Sequence, residues 1–194
     1  MWMLSLEWLL LAVGVFWLIG ARKRLKRLRQ AHKLAFTAVD VQCVQAIELL
    51  RSSARVQSLK DKVAGGAIAH SPQAVLLSAD ALEACVLQAR NQPLRPHTTA
   101  SLQTAWQAMQ MAWHAYLQVL AADPAHAEQQ QEWSTRWQSL LATHDHSTAQ
   151  FNAAVHDYNR AIAQFPACAL ARISGLRTAR TFEKDAALQM QPSA

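Results

Sequence analysis

The chain has 194 residues with 5 Gly and 6 Pro, and only 16% of them are charged. Such a composition favours helix and offers no run of strands. The net charge of +6 does not signal nucleic acid. Residues 1–33 carry seven Lys/Arg against Glu7, and beyond them 12 basic and 12 acidic residues cancel. A phosphate-binding face needs a basic excess that the body lacks. Cys43, Cys85 and Cys168 are odd in number and widely spaced among apolar neighbours. That pattern fits free, buried thiols in a reducing compartment rather than a disulfide framework.

Residues 1–21, MWMLSLEWLLLAVGVFWLIGA, are expected to form a transmembrane anchor. As a helix they would span about 31 Å, the thickness of a hydrocarbon core. Trp2, Trp8 and Trp17 suit interfacial positions towards the two ends. A cleaved signal peptide would place its positive charges before the apolar stretch and a small-residue site after it. Here the charges follow it, in a basic juxtamembrane segment over 22–33. Arg22, Lys23, Arg24, Lys26, Arg27 and Arg29 act as a stop signal and face anionic lipid headgroups. The positive-inside rule then puts the N-terminus outside and the body in the cytoplasm.

The anchor is expected to run on into a long helix. Leu25, Leu28, Ala35, Val39, Cys43, Ala46 and Leu50 make its apolar stripe. Gly65-Gly66 weakens helix, and Ser71-Pro72 supplies a start for a second helix over 72–91. Its inward residues are Val75, Leu76, Ala79, Leu82, Val86 and Leu87. Pro93 and Pro96 break the chain, and Thr98 or Thr99 caps a third helix over 99–122. Leu102, Trp106, Met109, Trp113, Tyr116 and Leu120 recur at steps of three and four, a core pattern rather than a cofactor box.

Asp123-Pro124 ends that helix and starts a fourth. Trp133, Trp137, Leu140, His144, Phe151, Val155, Tyr158, Ile162 and Phe165 keep a near-heptad beat along it. THDHST in its middle is a polar weak point where the helix is expected to bend or break. Pro166 closes it. A short helix over 167–174 ends at Gly175, and residues 185–194 form a frayed tail. The fold class is therefore all-α: one transmembrane helix followed by an antiparallel four-helix bundle.

The stretch FNAAVHDYNRAIAQFPACALARISGLRTARTFE, residues 151–183, resembles the C-terminal signature of the LemA family. The matching residues are Phe151-Asn152, Val155, Tyr158-Asn159, Ile162, Phe165-Pro166, Ala171, Gly175 and Phe182-Glu183. A weaker echo is Ala38-Val39-Asp40-Val41-Gln42. Leu176 departs from the pattern, which has an aromatic after the glycine. The resemblance assigns residues 34–184 to a LemA-like domain. It implies a bacterial inner-membrane bundle that works beside a partner protein, a membrane protease being one such class.

Helix disfavours asparagine, so Asn152 and Asn159, seven residues apart beside the apolar stripe, call for a reason. One is amide bonding across the bundle that fixes helix register; the other is a polar notch in a partner-binding groove. No catalytic, cofactor-binding or metal-ligating residue is expected. His144 and His146 diverge on a helix, and HExxH, GxSxG, Walker and Rossmann patterns are all missing from the sequence. The expected function is a membrane-tethered, non-enzymatic adaptor. A self-assembling structural protein is the alternative, and a hydrolase with an unrecognised site a remote one.

Overall fold

The computed structural model describes residues 2–64, 72–92, 95–122, 126–165, 167–173 and 177–182; at positions 2–7, 10, 59–64, 170 and 173 it describes the backbone only. Among the described residues there are five helices and no strand. They are α1 (Trp2–Ala64), α2 (Gln73–Asn91), α3 (Pro96–Ala121), α4 (Ala127–Ala163) and α5 (Ala167–Ile173). The anchor expectation and the first bundle helix merge, because α1 is one continuous helix of 63 residues, about 95 Å long. Its last described residue is Ala64, which precedes Gly65-Gly66 in the sequence. The loop expectations at Ser71, Asp123-Pro124 and Gly175, and the tail, lie outside the described residues.

Cross-helix contacts give the topology. Arg90 of α2 forks onto Asp40 of α1 at 2.9 and 3.1 Å, and Arg51 of α1 reaches Asp80 and Glu83 at 2.6 Å each. These partly exposed pairs set the α1–α2 register at about 0–1 kcal/mol each. His32 and Phe36 meet Phe151, while Gln57 bonds His126 at the other end. Trp106 stacks near Trp137 and His144, and Trp113 lies near Trp133 and Trp137. Each helix thus runs antiparallel to the next, and α4 returns beside α1, as an up-down-up-down bundle does.

The apolar stripes form the core. All six residues expected inside α3 are buried, as are Trp133, Trp137, Leu140, His144, Phe151, Val155, Tyr158 and Ile162 of α4. The three cysteines are free, and burial pushes the Cys43 thiol up to about 12.

Four expectations need correction. THDHST does not break the helix: α4 runs unbroken from Ala127 to Ala163, with His144 and Ser147 turned inward and Asp145 and His146 outward. Leu87 of α2 faces solvent, and Ala89 takes the inward place, continuing the 75, 79, 82, 86 rhythm. Neither threonine is the N-cap of α3, which begins three or more residues earlier with Pro96 after extended Arg95. The Thr98 hydroxyl instead donates to the Arg95 and Gln92 carbonyls at 2.7 and 2.9 Å. Phe165 leaves the core stripe and is 71% exposed. The cause is Gln164, whose extended backbone takes Phe165 off the helical face.

Helix length decides where the bundle is complete. At ~1.5 Å per residue, α2 and α3 are about 28 and 39 Å long, against about 55 Å for α4. The turn between α2 and α3 lies near Asp40 on α1, so residues 25–36 of α1 and 151–163 of α4 extend beyond it as a bare pair. Their inward side chains (Leu25, His32, Phe36, Phe151, Tyr158 and Ile162) are nonetheless buried. Among the described residues, what covers them is α5 together with the segment 177–182.

Candidate functional site

That covering segment is held by the two asparagines. The Asn152 side-chain amide donates to the Phe182 carbonyl at 2.9 Å and accepts from the Phe182 N–H at 2.8 Å. Asn159 does the same with Ala179, at 2.8 and 2.9 Å. Between them the Tyr158 hydroxyl donates to the Arg177 carbonyl at 3.2 Å. Each amide copies the two-way exchange of a hydrogen-bonded pair in an antiparallel sheet. Segment and helix run in opposite directions, since the later asparagine holds the earlier residue.

The spacing has a simple cause. Seven helical residues rise about 10.5 Å. Three extended residues rise about 10 Å. Asparagines seven apart on α4 therefore match backbone units three apart on an extended chain. The expected bonding across the bundle is corrected: the amides of Asn152 and Asn159 bond to the chain's own C-terminal segment, not to another helix.

Beneath the clamp the contacts are apolar. Phe182 packs on Phe151 at 5.0 Å between ring centres, Phe151 touches His32 at 4.7 Å, and Ala179 is buried. Arg177, Thr178 and Arg180 face outward. Burial, opposed in part by Arg29, raises the Tyr158 hydroxyl pKa, so the phenol keeps its donor proton.

Replacing Asn152 by Ala deprives the Phe182 N–H and C=O of partners, which typically costs about 1–2 kcal/mol. Asn152→Asp, though nearly the same shape, should be at least as costly, because a carboxylate oxygen would then face the Phe182 carbonyl. Thermal unfolding compares them; an Asp variant as stable as the parent would show that the amide donor is unimportant.

Phe151, Asn152, Tyr158, Asn159 and Phe182 thus converge in one clamp. Phe165 stands apart from it, against Trp17 at 5.3 Å, and Pro166 and Gly175 lie outside the described residues. What residue spacing did not reveal was the partner of the asparagines. The signal was present, in Ala179 and Phe182 three apart. His32 was also passed over, although the steps of three and four from Leu25 and Leu28 to Phe36 run straight through it.

At this same end, beyond the clamp, α1 leaves the bundle as an apolar shaft. From Trp8 to Ile19 nine large apolar side chains are between 43% and 79% exposed. Arg22, Lys23, Arg24, Lys26, Arg27 and Arg29 are all exposed, while Leu25 between them turns into the core. A cavity of about 310 Å³ lies at this junction, bounded by Trp17, Arg24, Leu25, Gln164 and Phe165. Among the described residues no helix is long and apolar enough to cross a membrane. The side chains of residues 1–7 and Leu10, part of the expected span, lie outside them.

Among the described residues no three His, Cys, Asp or Glu side chains converge as metal ligands do. The chain matches no family model, no curated protein and no solved structure.

Proposed function

We propose that the protein is a membrane-tethered, non-enzymatic adaptor of the LemA kind. Its N-terminal helix sits in a bacterial inner membrane with the N-terminus outside. Its bundle, at the cytoplasmic face, serves a partner protein such as a membrane protease. The observation that carries this reading is the shaft. Nine exposed apolar side chains on one short length of helix far exceed what a water-facing surface tolerates. In lipid the same side chains are favourable, and the cations that follow them meet anionic headgroups at ~1 kcal/mol each. The resemblance of residues 151–183 to the LemA signature and the neutral body also support the adaptor reading.

Self-assembly through α1 and α4 is the weaker reading, because the stripes it would use are already buried against each other. Carbonate extraction of cell membranes tests the tether. The full-length chain should stay with the membrane, whereas Leu11→Asp with Val15→Asp should release it, each charge costing about 2.5–3.5 kcal/mol at mid-bilayer. A parent chain that carbonate extracts as readily as the variant overturns the tether. Affinity purification from mild detergent tests the adaptor. Recovery of a membrane protein in stoichiometric amount supports it; recovery of the chain and lipid alone rejects it.

A further inference from the structure

We infer that the α1–α4 groove closed by residues 177–182 is a peptide-binding site, filled in cis by the chain's own segment. In trans it would take an extended segment of a partner protein that has a small residue and, three positions later, a phenylalanine. This deepens the adaptor reading and rests on it for the source of the peptide.

Three features carry the inference. First, the hydrogen bonds from Asn152, Asn159 and Tyr158 all go to the backbone of the segment. They demand an extended chain with an N–H at two positions, and otherwise accept any sequence. This is how grooves that recognise added strands obtain affinity, with pockets for selected side chains supplying the choice. Second, only Ala179 and Phe182 are buried, so the recognised pattern is small-x-x-Phe. Arg177 and Thr178 face outward and leave those positions free to vary. Third, among the described residues the helix pair at this end is covered by residues 177–182 and α5, while the other end has four long helices. Local opening draws on regions with few buried contacts, and of residues 177–182 Ala179 and Phe182 alone are buried. A peptide in the same register would restore every bond that the departing segment gives up.

The probe is a fluorescent synthetic peptide, Arg-Thr-Ala-Arg-Thr-Phe-Glu, copying residues 177–183. It is titrated into the full-length chain in mild detergent. Phe182→Ala frees the resident segment, so this variant should bind the peptide at least tenfold more tightly than the parent. A peptide with Ala for its Phe, or with Pro for its Ala, should bind at least tenfold more weakly. Adding Asn152→Ala to the variant should abolish binding. A folded Phe182→Ala chain that binds no peptide, or binds it regardless of Asn152, overturns the proposal.

Should that variant not fold, hydrogen exchange on the parent decides. The Ala179 and Phe182 amides should exchange at least a hundredfold faster than the amides around Val155. Exchange only at the global unfolding rate overturns the proposal. A concentration-dependent dimer that is lost in Phe182→Ala would make the occupant a second copy and overturn the assignment to a different protein. Failure to bind peptide leaves the adaptor reading open to another surface, whereas failure to recover any partner from cells removes that reading and leaves peptide binding intact.

Discussion

Lowering the pH from 7.5 to 5 should destabilise the bundle by several kcal/mol, through two buried histidines. His32 is fully buried beside Phe151, and neither ring nitrogen has a hydrogen-bond partner among the described residues. His144 stacks face to face on Trp106 at 3.8 Å. Its nearest carboxylate, Asp145, is 3.8 Å away and 84% exposed, so water screens it. Burial lowers both imidazoles from 6.5 to about 4. The folded state therefore holds them neutral where the unfolded chain would already protonate them. Their contribution is complete above pH 6.5 and is lost as pH falls towards 4. At pH 5 the loss is on the order of 2 kcal/mol per histidine. Thermal unfolding followed by circular dichroism in mild detergent measures it. His32→Leu should remove roughly half of the pH dependence, and an unchanged slope would show that His32 is not held neutral.

Trp137→Ala should have one of the largest effects of any single core substitution. Trp137 is 1% exposed and lies between Trp106 and Trp113, at 6.0 and 5.8 Å. Truncation opens a cavity where α3 and α4 meet, at a cost of about 3–5 kcal/mol. In a chain of this size that lowers the Tm by roughly 10–15 °C. Trp137→Phe should cost far less. The Trp137 indole N–H has no hydrogen-bond partner among the described residues, and removing an unpaired buried donor recovers about 1–3 kcal/mol of desolvation. A Phe variant as unstable as the Ala variant would mean that the indole N–H does have a partner. It would also mean that shape alone does not govern this layer.

Much of the architecture was legible in the residues. Steps of three and four in Leu102, Trp106, Met109, Trp113, Tyr116 and Leu120 place those side chains on one helical face, and all of them are buried. Local polarity misled at THDHST, because a helix already stabilised by packing at Leu140 and Phe151 carries a buried histidine and serine without breaking. Phe165 misled for the opposite reason. It keeps the periodicity, yet the helix that would turn it inward ends two residues earlier.

The sequence by itself determined the helices, their apolar faces, the neutral body and the grouping of the net charge beside the apolar N-terminus. All of these depend on residues close together in the chain. The partners of Asn152 and Asn159 were a different kind of question. They are 30 and 20 residues away, on a segment with no periodicity of its own. Only tertiary structure brings it there, because α2 and α3 are too short to cover the shaft end of α1 and α4, and the exposed core must be closed by whatever chain remains. Asparagine spacing of seven shows that something lies along the helix. Helix lengths and antiparallel packing decide that it is the chain's own residues 177–182.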